Sequence, residues 1–326
     1  MTINQLGDDL FLNRLLSYLQ NKLTPQVTNI IPIRKQVFKI ITSTSQFILK
    51  GFSSYNRLSL QQQFTNRLLQ EGFTQTYSFL DDLETSPLYF DNTYYGCIEY
   101  IPASKHIFTY HSQENREEGL ELLQQFHSTT AKFADDFLHS TRQYDLLDKW
   151  TKRTAKFIDN LSIIHFFVHK EISEEIIKWA NWSLTNLQSE NAPSNCSQVI
   201  LHGDVAHHNF LRKETGELLL IDFDLICRGE KSYDYLQYAN RILPYIDWSL
   251  EELLRLEVLT PFLENKFFLY SLVFPTDILR EWNRLILERQ YNNPLRVRQV
   301  MEITVEQFPE RKIFVREVLN YLRKRF

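Results

Sequence analysis

The stretch "ILHGDVAHHNFL", residues 200–211, places an aspartate and an asparagine five positions apart, and Asp222 follows the apolar run "LLLI" soon afterwards. An ionised aspartate beside such a run is costly unless a cation or hydrogen-bond donors meet it. Carboxylate and amide oxygens suit Mg²⁺, which also binds phosphate oxygens. We therefore predict that Asn209 and Asp222 hold Mg²⁺ and that Asp204 orients and deprotonates a hydroxyl, as phosphoryl transfer requires.

The three histidines of this stretch allow a second interpretation. His202, His207 and His208 could bind zinc or iron together with Asp204. Two of them are adjacent, however, and no further His or Cys lies nearby at ligand spacing. Polar residues are common in loops, so His207 and His208 need no metal to explain them. The joint occurrence of Asp204, Asn209 and Asp222 is harder to explain without chemistry.

A phosphoryl-transfer site also needs a cation for the phosphates, and Lys50 in "FILKGF" is the candidate. A lysine at a strand end is commonly only solvated, and that alternative stays open for Lys50 taken alone. Its place at the end of the third predicted strand, in a kinase-like order of elements, favours the functional interpretation.

The elements around Lys50 predict a small antiparallel sheet. After a helical pattern over 11–23, three short segments rich in β-branched and aromatic residues read as strands. A helical pattern with Gly72 as its stop follows, and then two more strands. The strand segments are 26–33, 36–43, 45–52 and two within 85–104, and the inserted helix is 58–73.

The rest of the chain is predicted to be mainly helical, with one β interruption that carries the chemistry. This gives an α+β, two-lobed fold with a β-rich lobe at 1–100, a hinge near 99–104 and a helical lobe at 105–326. The predicted helices are 114–133, 141–165, 171–190 and several from residue 249 onward; a loop is predicted at 191–195 and the β interruption at 198–226.

"HGDVAHHN" followed by "LIDFD" resembles the aminoglycoside phosphotransferase and choline kinase superfamily, which has a protein-kinase-like fold. "FKIITSTSQFILK", "LELLQQFHSTT" and "YDYLQYANR" resemble other segments of that superfamily, so the similarity covers most of the chain. Within it, the lobe order and the "LLQEGF" helix end are most similar to the spore coat protein S group.

The resemblance implies an ATP- and Mg²⁺-dependent kinase that phosphorylates a hydroxyl of a small molecule. It implies that Asp204 is the catalytic base, with Asn209 also in the catalytic loop, and that His202 and Asp234 brace that loop. The implied cofactor contacts are Lys50 on the α- and β-phosphates of ATP, Asn209 and Asp222 on Mg²⁺, and the backbone of Glu99, Tyr100 and Ile101 at the adenine.

Two departures from the pattern keep an inactive kinase open as the alternative. No glycine occurs between Gly7 and Gly51, although a phosphate-covering loop normally uses glycine. Arg34 and Lys35 in that turn either supply charge or are simply solvated. Glutamines 61–63 stand where a glutamate should pair with Lys50. The alternative function is a catalytically weak or inactive pseudokinase that serves as a spore-coat-associated structural or binding protein.

Composition limits the partners. A net charge of −4 and a pI near 6.2 argue against a nucleic-acid partner. Three scattered cysteines without C-x-x-C spacing indicate reduced thiols, and no apolar run reaches membrane length. We expect a cytoplasmic protein, or one associated with spore coat proteins as the resemblance implies, without a signal peptide or membrane insertion.

The sequence leaves two alternatives open for the role of the other acidic residues. Asp224 in "DFD" is either a second acidic ligand or, as we expect, a solvated acid. The acceptor is not identified by the sequence. The acids at 135, 136, 145 and 148 form either a patch for a cationic acceptor or, more simply, ordinary helix-surface acids.

Overall fold

The computed structural model describes residues 3–80, 87–190 and 198–326, and the chain divides into two compact units. The first unit is Met1–Phe108 together with His208–Asp224, and the second is Thr109–His207 together with Leu225–Phe326. The predicted loop at 191–195 lies outside the described residues. The predicted lobe boundary near residue 100 stays a prediction.

The elements alternate much as the sequence patterns indicate. The strands are β1 (Val27–Arg34), β2 (Val37–Thr42), β3 (Gln46–Phe52), β4 (Leu88–Phe90), β5 (Thr93–Glu99), β6 (Val199–Leu201), β7 (Phe210–Arg212), β8 (Leu218–Leu220) and β9 (Cys227–Gly229). The helices are α1 (Ile3–Lys22), α2 (Tyr55–Gln70), α3 (Gln113–Thr130), α4 (Leu146–Asp159), α5 (Leu161–Ile164), α6 (Lys170–Ser189), α7 (Ser232–Ile242), α8 (Leu250–Leu254), α9 (Thr260–Leu263), α10 (Lys266–Val273), α11 (Thr276–Leu287), α12 (Pro294–Met301) and α13 (Phe308–Arg325).

The first unit is built on a five-stranded sheet of order β1-β2-β3-β5-β4, in which every neighbouring pair is antiparallel. The predicted small antiparallel sheet is therefore confirmed, and α2 is the predicted helix after the third strand. Ser54 begins that helix by accepting a hydrogen bond from the Arg57 amide, and Gly72 lies just beyond its end with a φ of 91°.

The two faces of this sheet are used differently, because successive side chains of a strand point to opposite sides. Phe47 and Leu49 of β3 pack in one buried cluster with Leu15 and Leu19 of α1. Lys50 therefore points to the other face, where α2 lies.

Gly96 on β5 explains how closely α2 approaches. A Cβ at Gly96 would lie 2.6 Å from a methyl carbon of Leu58 in α2. The missing side chain thus lets the helix sit directly over the strands that carry and flank Lys50, which pairs with Gly96 across β3 and β5.

The β7–β8 hairpin is joined to the same unit, although it is distant in sequence. The Leu220 amide donates to the Gln75 carbonyl at 2.9 Å, and the Thr76 hydroxyl donates to the Leu220 carbonyl at 2.9 Å. Phe223, just beyond the hairpin, packs edge-on against Phe64 of α2. These contacts carry the end of β8 to the face of the sheet on which Lys50 lies.

The second unit is mainly helical, with one short two-stranded ladder between β6 and β9. The sequence patterns did not predict β9, which begins after the predicted strand ends at residue 226. The predicted helix over 141–165 begins later, at α4, where the Asp145 side chain caps it by accepting from the Asp148 amide. It ends at Asp159, with Asn160 between α4 and α5.

The fold is thus α+β, with a small antiparallel sheet and a larger helical part, as the sequence predicts. None of the described helices is long and apolar enough to span a membrane.

Candidate active site

Lys50 is the centre of a charged cluster in the first unit. It is 6% exposed, and its Nζ atom lies 2.9 Å from Asp222 Oδ1 and 2.7 Å from Asp224 Oδ1. A buried ammonium group is unfavourable without such partners, so the two carboxylates account for its placement. The structure therefore brings together Lys50 and Asp222, two of the predicted site residues.

Asp222 accepts from two cations at once. Lys50 contacts Oδ1, and the Arg34 Nη2 atom donates to Oδ2 at 2.7 Å. Burial by itself would raise the pKa of Asp222, but Lys50 and then Arg34 outweigh it and hold the pKa well below its usual range. The residue has a φ of 73°, a left-handed conformation that non-glycine residues seldom adopt and that is often found at functional sites.

Arg34 reaches Asp222 from the turn that lacks glycine. This turn is a two-residue hairpin connection between the paired residues Arg34 and Val37, and Gln36 adopts a φ of 60° within it. Of the two alternatives for Arg34, the structure favours a charge contact over simple solvation, because its guanidinium forms the ion pair with Asp222 although half of the side chain is exposed. Lys35 is exposed.

Gln61 of α2 stands where a glutamate was expected. Its Oε1 atom is 3.5 Å from Lys50 Nζ, and its Nε2 atom donates to Asp224 Oδ1 at 2.5 Å. The amide thus serves both members of an ion pair, which a carboxylate could not do. Asp224 was expected to be a solvated acid; instead it binds Lys50 and Gln61, although half of its side chain remains exposed.

Asn209 lies in a short 3₁₀ turn directly before β7 and is buried. Its carbonyl accepts from the Ile221 amide at 2.9 Å, so the backbone next to Asp222 is fixed beside the backbone of Asn209. An amide oxygen and carboxylate oxygens in this neighbourhood are ligands of the kind that Mg²⁺ binds. The donor set therefore fits the predicted ion.

No group of three or more His, Cys, Asp and Glu side chains within residues 3–80, 87–190 and 198–326 is arranged to hold a metal. The histidine-centred zinc or iron interpretation thus gains nothing from this part of the chain. His202 is buried, and its Nδ1 atom accepts from the Asp204 amide at 3.3 Å.

The predicted adenine-facing segment is held at its start by the sheet. The Glu99 amide donates to the Ser78 carbonyl at 3.0 Å, and the Glu99 carboxylate accepts from the Ser78 amide at 2.8 Å. The Lys39 ammonium lies 3.9 Å from the centre of the Tyr100 ring. An adenine contact by Glu99, Tyr100 and Ile101 stays a prediction.

Asp204 lies in the second unit, in the loop that follows β6, and α7 holds this loop. The Asp234 carboxylate accepts from the His202 amide at 2.7 Å and from the Gly203 amide at 3.0 Å. It also contacts His127 Nε2 at 3.0 Å. Burial alone would raise the pKa of Asp234, but the bond to His127 and the nearby ring charges outweigh it and lower the pKa.

The same face of α7 holds the next residues of the loop. Gln237 accepts from the Val205 amide at 2.9 Å and donates to the Gly203 carbonyl at 3.1 Å. Arg241 Nη2 lies 2.5 Å from Asp204 Oδ1. Sequence reasoning missed Gln237 and Arg241, although their spacing from Asp234, three and seven residues, places all three on one helical face.

Gly203 allows the loop to turn at Asp204. Its φ is 79°, and a Cβ there would lie 2.4 Å from the Leu225 carbonyl oxygen. Only glycine fits both the backbone conformation and the space. The Tyr110 hydroxyl adds a further restraint by donating to the Val205 carbonyl at 2.6 Å.

The fold is of the protein-kinase-like type. The sequence matches the phosphotransferase enzyme family over residues 36–252, and the chain therefore belongs to that family. A comparison with curated proteins found no match.

Solved structures agree with this fold. An aminoglycoside phosphotransferase from Alicyclobacillus acidocaldarius is similar with a TM-score of 0.71 and 14% identity, over 93% of this chain and 95% of that one. A spectinomycin phosphotransferase in complex with ADP and spectinomycin gives 0.62 and 15%, over 92% and 93%. A choline kinase from Streptococcus pneumoniae gives 0.51 and 12%, over 95% and 99%.

Proposed function

We propose that this protein transfers the terminal phosphoryl group of ATP to a hydroxyl of a small molecule, with Mg²⁺. The single observation that carries the proposal is the cluster in which buried Lys50 meets Asp222 and Asp224. A cation and two acids in one place are what nucleotide phosphates and their metal ion require. The structural neighbours include complexes with ADP and spectinomycin and with GDP, which supports a nucleotide and a small acceptor.

In the proposed reaction the acceptor oxygen forms a bond to the terminal phosphorus, and the bond from that phosphorus to the bridging oxygen breaks. ADP leaves, and the hydroxyl proton passes to the Asp204 carboxylate. Arg241 orients that carboxylate through its 2.5 Å contact with Oδ1. Lys50 and Arg34 neutralise phosphate charge, which is the main contribution that such proteins make.

Asn209, Asp222 and Asp224 would hold the ion. The hydrogen bond from the Ile221 amide to the Asn209 carbonyl keeps the backbone of Asn209 next to that of Asp222. Mg²⁺ supplies charge neutralisation on the β- and γ-phosphates when bound. Glu99, Tyr100 and Ile101 remain the proposed adenine contacts.

Nucleotide binding is the first test. Mg·ATP at millimolar concentration should raise the melting temperature of the wild type, since a ligand that binds only the folded state stabilises it. Lys50→Met should abolish the shift, and Lys35→Met, which changes an exposed lysine of the β1–β2 turn, should keep it. GTP is tested in parallel. No shift with either nucleotide would rule out the proposal.

Transfer is the second test, measured with ATP labelled in the terminal phosphoryl group and a panel of hydroxylated acceptors. Asp204→Asn should lower the turnover number by about 10³-fold or more while nucleotide binding persists, because it removes the proton acceptor and not the phosphate contacts. Equal turnover in this variant would remove Asp204 from the reaction.

A second candidate function is a weakly active or inactive kinase fold that binds other molecules. The observation that favours it is that both oxygens of Asp222 already contact cations, Lys50 and Arg34. Association with a spore coat belongs to this alternative through the motif resemblance alone. A cytoplasmic location is a separate proposal that rests on the scattered cysteines. Nucleotide binding without transfer to any acceptor of the panel would favour it.

A further inference from the structure

The second unit contains a group of basic side chains, one of which contacts Asp204. Arg241 on α7 contacts the Asp204 carboxylate directly. Lys149 and Arg153 lie four residues apart on α4, which places them on one face. Arg142 lies just before α4, and Arg280 is on α11. We call these five residues, Arg142, Lys149, Arg153, Arg241 and Arg280, the basic cluster.

Hydrogen bonds between α4 and α11 fix the relative positions of the cluster residues on these two helices. The Arg153 guanidinium donates to the Thr276 carbonyl at 3.1 Å and to its hydroxyl at 2.6 Å. Thr276 begins α11, and Arg280 lies one helical turn further along it. The Asn283 side chain donates to the Arg153 carbonyl at 2.9 Å. Arg153 and Arg280 are therefore held on neighbouring parts of two packed helices.

A backbone ladder fixes the position of Arg142 relative to the Asp204 loop. The Arg228 amide of β9 donates to the Arg142 carbonyl at 2.9 Å, and the Tyr144 amide donates to the Arg228 carbonyl at 2.7 Å. Cys227 of β9 pairs with Leu201 of β6, three residues before Asp204. Arg142 thus lies beside the β6–β9 ladder, and the loop that carries Asp204 follows β6 directly.

Positive charge exceeds negative charge in this neighbourhood. The nearby acids already have partners: Asp204 has Arg241, Glu281 has Arg280 and Arg284, and Asp277 has Arg311. Within the described residues, Arg142, Lys149 and Arg153 form no ion pair with a carboxylate. Arg241 Nε is buried and has no hydrogen-bond partner there either.

Burial and the neighbouring positive charges lower the pKa values of two cluster residues, Lys149 and Arg153. Partial burial, followed by the positive charges of Arg153, Arg142 and Arg280, lowers the pKa of the Lys149 amine to about 8. Lys149 also faces the Tyr144 hydroxyl at 3.2 Å and the Cys227 thiol. Burial, then repulsion by Arg280, lowers the pKa of Arg153 as well. An anion bound here would relieve both effects.

Two of the four acids considered for a cationic acceptor, Asp145 and Asp148, have other partners. Asp145 caps α4, and Asp148 pairs with Lys152 on the solvent side of that helix. An acidic patch built from them is therefore not available at the cluster.

We propose that the basic cluster binds the acceptor, and that the acceptor is an anion: a small hydroxylated molecule that carries a carboxylate or a phosphate group. This rests on the proposed phosphoryl transfer, because it assigns a substrate class to the Asp204 loop. Lys149, Arg153 and Arg280 bind the anionic group, and Arg241 links it to Asp204.

Binding of simple ions tests the proposal without nucleotide. Malonate, 1,3-propanediol and 1,3-diaminopropane have the same length and differ in charge, and inorganic phosphate adds the second anionic group. Calorimetry at constant ionic strength should detect malonate or phosphate and neither of the other two compounds. Lys149→Gln and Arg280→Gln should each weaken anion binding about tenfold or more, because each removes a charge-assisted contact.

Matched variants separate this cluster from other cations. Lys152→Gln changes an exposed lysine on the same helix and should leave anion binding unchanged. Lys50→Met removes the proposed nucleotide contact in the first unit and should also leave it unchanged. Malonate affinity of the wild type should fall between pH 7 and pH 9 as Lys149 loses its proton, and the Lys149→Gln variant should show a smaller fall.

Transfer assays with glycerol 3-phosphate, glycerate, glycerol and 3-amino-1,2-propanediol complete the test. The anionic pair should have the lower KM, and Lys149→Gln should raise that KM while the KM for ATP stays constant. Preference for the amine or the neutral compound, or anion binding that only Lys50→Met removes, would overturn the inference. Failure of the proposed function has a different signature: no Mg·ATP binding, with anion binding at the cluster intact.

Discussion

At the scale of single residues, Lys50 and Asp222 show how a charged cluster is kept balanced. They are 172 positions apart, yet the ammonium and the carboxylate are 2.9 Å apart. Two acids, Asp222 and Asp224, face two bases, Lys50 and Arg34, and the neutral Gln61 connects Lys50 to Asp224. A glutamate at 61 would add a third negative charge.

Gln61→Glu should therefore destabilise the protein instead of improving the cluster. The new carboxylate would face Asp224, which now accepts from the Gln61 amide at 2.5 Å, and like charges at this distance repel. We expect a loss of about 1 kcal/mol in the free energy of unfolding, measured by urea denaturation. Gln63→Glu, on the exposed side of α2, is the control. Adding Asp224→Asn to Gln61→Glu should restore stability; no rescue would show that repulsion is not the cause.

Arg34→Gln should raise the KM for ATP about tenfold, because the glycine-free turn offers a side-chain charge where such turns usually offer backbone amides. Lys35→Gln, next to it and exposed, should change the KM little. A lower KM for ATP in Arg34→Gln would instead identify Arg34 as a competitor of the metal for Asp222.

The sequence was sufficient to find Lys50, Asp204 and Asp222 as candidates, because each lies at the end of an apolar strand or in a motif with defined spacing. It was not sufficient for Arg34, Asp224 or Gln61. Their partners depend on which side chain of one element faces which atom of another, and local pattern carries no information about that.

At the scale of elements, α7 fixes the loop that carries Asp204. Asp234, Gln237 and Arg241 each contact a different part of the loop, so one helical face sets the backbone from His202 to Val205. Sequence periodicity predicted no helix over Ser232–Ile242, so it could not show that one helical face would meet the loop. The strands of the first unit were more predictable, since alternation of buried and exposed residues is a local property.

Gly203→Ala tests how tightly this loop is packed. The left-handed backbone and the Leu225 carbonyl both oppose a Cβ, so we expect a loss of roughly 3 kcal/mol in the free energy of unfolding and a large loss of activity. Gly216→Ala is matched in backbone, with a φ of 93° and no atom within 4 Å, and should cost about 1 kcal/mol. Equal losses in the two variants would show that the Leu225 contact is unimportant.

At the scale of the whole molecule, an ion pair with a buried arginine joins two helices of the second unit that are distant in sequence. Arg311 of α13 is 3% exposed and donates two hydrogen bonds to Asp277 of α11, at 2.9 and 2.5 Å. Burial alone would raise the pKa of Asp277, but Arg311 outweighs it and the pKa is lowered. The pair therefore makes stability depend on pH.

The sign follows from linkage. A carboxyl whose pKa is lower in the folded state than its unfolded value of about 3.9 adds stability above that value, and the contribution is lost as pH falls through the folded pKa. Asp234 acts in the same direction. The free energy of unfolding should thus be constant near neutral pH and fall steeply below about pH 4.

Asp277→Asn should lower stability at pH 7 by about 3 kcal/mol, because buried Arg311 loses its counter-charge, and should flatten the acid limb of the curve. Asp148→Asn, in an exposed pair with Lys152, should do neither. Urea titrations from pH 3 to pH 8 provide the measurement. An unchanged acid limb in Asp277→Asn would show that other groups cause it.

The discontinuous first unit has a consequence for synthesis of the chain. Residues 208–224 complete a unit whose other part is Met1–Phe108, and they supply both carboxylates that contact Lys50. A nascent chain that ends at Phe108 contains the whole sheet and a buried lysine without these counter-ions, an unfavourable state. The first unit can therefore reach its final form only after residue 224 has left the ribosome, so folding of this protein does not simply follow the order of translation.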